Sequence, residues 1–276
     1  MATERRRWTY EESLVVFRLY CRTPFGRLHQ RNPEIVDLAE RIDRTPGAVA
    51  MKAVNFASLD PELQARKISG LGNASAADRE LWEAFFRDSE RVAEDAEAAY
   101  EALLQQGAGE PLRDSARPVP EGVDSSVAAP DTGVFTPGPA GESERFGVAK
   151  VRRVQSFFRA AVLTSYGNQC ALTGLAIPEL LNASHIVPWY VEEKRRADPR
   201  NGLCLNALHD RAFDRGFIAF DADHRVIVSP HIDAAAPCTL QRTQLAEIAG
   251  RLLCMPHRFQ PDPEALAFHR DHIYRA

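Results

Sequence analysis

Residues 107–145, GAGEPLRDSARPVPEGVDSSVAAPDTGVFTPGPAGESER, carry six prolines and six glycines and no sustained apolar period. Such a stretch cannot bury enough apolar surface to offset the entropy lost on ordering, so it reads as a disordered, flexible linker. It divides the 276-residue chain into segments 1–106 and 146–276, each of ordinary domain size. With 45% hydrophobic and 26% charged residues, the chain has material for packed cores and is not disordered throughout. No run approaches the ~18 apolar residues of a membrane span, and no membrane partner is expected. The start, MATERRRWTYEES, has no apolar stretch behind its basic residues, so it predicts no secretory signal and a cytoplasmic location. The five cysteines include no C-x-x-C pair, which argues against a disulfide scaffold and a closed four-cysteine zinc site.

The net charge of −4 conceals a pattern: +3 over 1–67, −6 over 68–106, −4 over 107–145 and +3 over 146–276. Phosphate binding depends on local charge, so a nucleic-acid partner stays open. The N-terminal segment reads as all-helical. A helix starting at Trp8 or Thr9 carries Leu14, Val15, Phe17, Leu19 and Tyr20. Asn32-Pro33 and Thr45-Pro46 each pair a capping residue with a proline at the first helical position. The helix that follows, 46–56, turns Val49, Ala50 and Ala53 inward and Lys52 and Asn55 outward. This layout predicts a helix-turn-helix-like unit whose last helix enters the DNA major groove, with Arg44, Lys52 and Asn55 as contacts. A three-helix bundle for protein contacts is the alternative. Residues 76–105 predict one long acidic helix with Leu81, Phe85, Val92, Ala96, Tyr100 and Leu103 on a stripe, packed on that unit or forming a dimer seam.

Seven of the eight histidines follow residue 184. Two stand in dense motif context: Asn182-Ala-Ser-His185-Ile-Val-Pro-Trp189, then Asp198-Pro-Arg-Asn201-Gly-Leu, then His209-Asp-Arg-Ala-Phe-Asp214-Arg-Gly. The three ordered segments resemble the HNH endonuclease family, with its ββα-metal finger, and most of all a bacterial restriction-endonuclease subgroup. The likeness spans roughly 150–275, and the start W-T-x-E-E with N-P-E-I-V-D-L-A resembles a domain that accompanies this subgroup. The fold class implied is α+β: an N-terminal helical domain (1–106), the linker (107–145) and an HNH nuclease domain (146–276) with added helices and a β-hairpin. The hairpin is expected from Phe217–Asp221 and Arg225–Ser229, a helix over 151–166, another over 239–253, and a short packed tail over 256–272.

The resemblance implies metal-dependent hydrolysis of DNA, double-stranded in the first instance. His185 would be the general base, since a neutral imidazole is available near neutral pH. A backbone carbonyl of the Asn201 loop would orient it, and the Asn201 side chain would brace that loop. His209 would hold one divalent ion (Mg²⁺ or Mn²⁺, with Zn²⁺ or Ni²⁺ as alternatives), its ring set across from His185 with room for a sugar-phosphate strand between them. Arg211 and Arg215 would contact phosphate. Ser184 stands where many relatives have a metal-binding residue, so Ser184 and Asp214 complete the ligand set less firmly. Asp210 reads as a cap or an arginine partner before a metal ligand, and Trp189 as core or a lid before a base-stacking residue. A structural zinc held by two C-x-x-C pairs in many relatives is not expected: Thr173 replaces one cysteine, and Asn206 lies where the second pair would be. Cys170 and Cys204 then read as buried apolar residues, and His224, His231, His257, His269 and His272 as surface or packing residues. Cutting both strands would take a homodimer or two successive events. Restriction of foreign DNA is the implied role. The alternatives are a catalytically inactive DNA-binding protein and an RNA-directed or toxin-like nuclease.

Overall fold

The computed structural model describes residues 6–67, 73–106, 142–232 and 238–276, with side chains from 147 onward in the third stretch. The chain divides into two compact units, Met1–Pro111 and Leu112–Ala276. The linker expected over 107–145 lies outside the described residues except for 142–145, which are helical. Among the described residues no helix is long and apolar enough to cross a membrane.

The first unit is helical: α1 (Tyr10–Arg22), α2 (Pro33–Arg41), α3 (Pro46–Ala57), α4 (Pro61–Ala65), α5 (Ala76–Arg87) and α6 (Ser89–Gln106). Its helix starts are chemically encoded. Thr9 and Glu12 form a reciprocal capping box, the Asn32 side chain accepts from Glu34 N–H, and Thr45 accepts from Ala48 N–H. α1 and α2 both pack on α3, around an aromatic core in which Phe17 meets Phe56 and Phe85 edge-on at about 5 Å. The single helix expected over 76–105 is two helices. Asp88 leaves helical geometry (φ −153°, ψ 80°) and its carboxylate accepts from Arg91 N–H, so its short polar side chain competes with the helical ladder. The break lets α6 pack on both α5 and α1, where Glu97 pairs with Arg18 at 2.8 Å and Arg22 at 3.2 Å.

The outward placement of Lys52 is overturned. Lys52 is 4% exposed and ion-paired with the buried Asp78 of α5, its ammonium 5.1 Å from the Trp8 ring centre. A buried ammonium is tolerable only with such a partner, and α5, distant in sequence, provides it. Arg44 is spent in the same way: it pairs with Glu12 at 2.8 Å, donates to the Arg6 and Arg7 carbonyls and lies over Trp8. Asn55 is half-buried. Lys52 is the sole charged residue of α3, whose exposed face shows Met51, so this helix offers DNA no cation.

In the second unit a long helix, α7 (Glu142–Ser165), packs against an antiparallel pair, β1 (Leu181–His185) and β2 (Gly202–Asn206), with α8 (Ala207–Asp214) next in the chain and also packed on both strands. The register sets Leu181 opposite Asn206 and His185 opposite Gly202. Gly202 is required there by space: a Cβ would fall 2.5 Å from Val162 and 2.8 Å from Phe158 of α7. The expected hairpin is present as β3 (Ile218–Phe220) and β4 (Val226–Val228). The helix expected over 239–253 reduces to α9 (Thr239–Gln241) and a π-helical stretch, Arg242–Ala246. The chain turns at Gly250 (φ +74°), and Leu252 bridges to Arg225. The expected tail contains a capped helix, α10 (Pro263–His272), which packs against β3.

Candidate functional site

Strand pleating turns residues 181, 183 and 185 to one side of the β1–β2 pair and residues 182 and 184 to the other. The His185 side meets α7. Its imidazole stacks on Phe158 with ring centres 3.8 Å apart and planes 12° from parallel, and Phe158 and Val162 fill the space that a Gly202 side chain would need. The Trp189 ring meets it edge-on at 5.5 Å. His185 Nε2 lies 3.0 Å from the Arg196 carbonyl oxygen. A carbonyl only accepts, so Nε2 carries the proton, and Nδ1 of the neutral ring carries the lone pair. The orienting carbonyl is therefore that of Arg196, at the end of the 3₁₀ turn Glu193–Arg195, rather than one nearer Asn201.

Asn201 braces the chain just beyond His185. Its Oδ1 accepts from Val187 N–H at 2.8 Å, its Nδ2 donates to the Val187 carbonyl at 3.1 Å, and its own carbonyl accepts from Ile186 N–H at 2.9 Å. Asn201 is 2% exposed, so these bonds form without competition from water. Its side chain thus acts as an extra piece of backbone, closing the end of the hairpin that carries the histidine.

The His209 ring lies in the interior of the second unit. It is fully buried, with Nε2 2.7 Å from the Gln244 carbonyl and Nδ1 3.1 Å from Asn206 Nδ2, so both ring nitrogens are engaged inside the protein. Its hydrogen-bond partners, Gln244 and Asn206, are not those of His185. His209 instead belongs to a polar knot with Cys170, Thr173 and Asn206. Cys170 Sγ accepts from Asn206 N–H at 3.3 Å, Asn206 Nδ2 reaches Thr173 Oγ1 at 3.4 Å, and Asn206 Oδ1 caps α8 through His209 N–H. Burial alone would push the Cys170 thiol up, but its polar surroundings at His209, Thr173 and the backbone of Leu172 and Thr173 bring it down to about 7. Cys170 is thus buried but hydrogen-bonded, not an apolar filler. Cys204 does fit that description, and burial pushes its thiol up to about 12. The knot joins the turn before β1 to the β2–α8 junction by hydrogen bonds alone.

The remaining expected ligands do not gather. Asp214 is five positions from His209, well round the helix at about 100° per residue. Among the described residues no three His, Cys, Asp or Glu side chains are grouped to hold a metal ion. Within the expected set of His209, Asp214 and Ser184, the ring nitrogens of His209 are already engaged by Gln244 and Asn206. What the opposite face of β1 presents is oxygen. Asp210 Oδ2 accepts from Asn182 Nδ2 at 2.6 Å, and the Ser184 hydroxyl, on the same strand face as Asn182, is buried with no hydrogen-bond partner. Arg159 of α7 interacts with Asp210, although burial holds its guanidinium below the usual range. An arginine partner is what the sequence predicts for Asp210. Arg211 and Arg215 are both exposed on and just after α8.

Residues 170–221 match the family model described as HNH endonuclease. No curated protein matches the chain.

Proposed function

We propose that residues 170–221, which match the family model described as HNH endonuclease, form a nuclease domain, and that the chain hydrolyses phosphodiester bonds in DNA with His185 activating water. HNH endonucleases act on nucleic acid and generally use a divalent metal. The observation that carries the reading is the His185 ring, whose Nε2 proton is committed to the Arg196 carbonyl and whose strand end is clamped by Asn201. With Nε2 protonated, Nδ1 is the nitrogen that would accept a water proton, the role of a general base, typically a factor of about 10²–10⁴ in rate. Asn201 acts as a positioning residue. Arg211 and Arg215 are exposed cations suited to phosphate contact. No step is assigned to a metal, because the ligand set expected from the sequence is not assembled. Restriction of foreign DNA, and a tethered two-domain layout in which the N-terminal unit aids targeting, are the finer parts of the proposal. Targeting would then rely on exposed bases such as Arg27 and Arg31 beside α2 rather than on α3.

Purified full-length protein incubated with supercoiled plasmid and Mg²⁺ or Mn²⁺ tests the reading. Nicking that is lost in His185→Ala, with DNA binding retained, is expected. A second reading, a non-catalytic nucleic-acid-binding module, is favoured by the absence of a three-ligand cluster among the described residues. Binding without cleavage of DNA under any metal, alongside an RNA control that is also uncut, would establish it instead.

A further inference from the structure

The reading of His185 as a base leaves open what holds its ring in one orientation. The strand fixes its backbone, and Phe158 stacks on the ring face. The loop 189–196 adds a further constraint, and one residue closes it. Arg196 Nε donates to the Trp189 carbonyl at 2.8 Å, and its guanidinium lies 4.9 Å from the centre of the Trp189 ring. That same ring stands edge-on to His185, and the Arg196 carbonyl takes the His185 Nε2 proton. Both ends of the loop are thus tied to each other and to the imidazole through one residue, while Nη2 also reaches Glu193 at 3.4 Å.

We propose that Arg196 is the positioning residue of His185: its side chain locks Trp189 against the ring edge, and its main-chain oxygen fixes which ring nitrogen carries the proton. The inference rests on His185 being the base. The chemistry demands an arginine. A bond from Nε, with the guanidinium plane lying over an aromatic ring, needs the planar fork that a lysine ammonium lacks. The side chain is only 16% exposed, so the contact with Trp189 is largely shielded from water.

The test uses full-length protein carrying ¹⁵N-labelled histidine, in the variants Arg196→Met and Arg196→Lys. The His185 ring signals are assigned by their loss in His185→Ala. In the unsubstituted protein His185 should show one tautomer, protonated at Nε2. In both variants the two ring nitrogens should move toward averaged shifts, plasmid nicking should fall about 100-fold, and DNA affinity should stay unchanged. The lysine variant keeps the charge and the aliphatic stem, so it reports even if the methionine variant folds poorly. A His185 ring that keeps its single tautomer in both variants overturns the proposal, as does full nicking by the lysine variant. If the unsubstituted protein cuts nothing while the variants still release the ring, the positioning role stands and the nuclease reading is what fails.

Discussion

Asn201→Asp is the most discriminating substitution at this site, because it changes one atom of the clamp and reverses its sense. In the native protein Oδ1 faces the Val187 N–H at 2.8 Å and Nδ2 faces the Val187 carbonyl at 3.1 Å. Asn201→Ala removes both bonds and leaves a buried N–H without an acceptor. At about 1 kcal/mol net per bond plus the desolvation of the orphaned group, the cost is about 3 kcal/mol. Aspartate keeps the acceptor but sets a carboxylate oxygen against the Val187 oxygen, with burial disfavouring its charge. A buried charge stripped of a partner costs about 3–5 kcal/mol, so the near-isosteric change should be at least as damaging as truncation. Acidification should reverse the order. The carboxyl is raised in the folded state by burial, so as pH falls the folded protein takes up a proton more readily than the unfolded chain, and the resulting O–H can donate to the Val187 carbonyl. Hydrogen–deuterium exchange of peptides covering 181–206, each variant compared with the unsubstituted protein at about pH 7.5 and again near pH 5, reads this directly. Exchange in Asn201→Asp that matches the unsubstituted protein at the higher pH would refute the two-point clamp.

Two further outcomes follow from buried histidines outside the proposed base. His269 is 1% exposed, stacks on Phe213 with ring centres 3.6 Å apart, and is pushed from 6.5 down to about 4 by burial, against a smaller opposing effect of its hydrogen bond to the Phe213 carbonyl. The unfolded chain therefore binds more protons between those values. Stability should be whole above pH 6.5 and decline as pH falls toward 4, by about 3 kcal/mol from this group. His269→Phe keeps the stack, and the Phe213 carbonyl retains Gly216 N–H, so urea unfolding of that variant should lose correspondingly less on acidification; equal losses in the two proteins would contradict the assignment. His209→Ala should cost about 2–4 kcal/mol through the lost buried contacts and hydrogen bonds. In calorimetric titration the folded variant should bind Mg²⁺ or Mn²⁺ as the unsubstituted protein does, and a loss of metal affinity without a loss of stability would restore His209 as a ligand.

Local chemistry made much of this chain legible. Asn32-Pro33 and Thr45-Pro46 start helices because a cap is an agreement among residues within one turn. The hairpin at 218–228 follows from alternation around an Asp-rich turn, and the order of His185, Asn201 and His209 placed the two strands and α8 of the 170–221 segment. Where the reading failed, a distant partner decided. Lys52 looks outward by helical spacing, but Asp78 draws it into the core. His209 looks like a ligand by motif, but the Gln244 carbonyl, 35 positions on, takes its Nε2 proton and the Asn206 amide engages Nδ1. The carbonyl that orients His185 leaves no mark in the sequence at all, because every residue has one and only the path of the 189–196 loop selects that of Arg196. Sequence thus determined where most of the elements start and which residues stand on them. Tertiary structure decided which lone pairs and charges remain available, since a polar group that is buried must be satisfied by whatever the fold brings beside it.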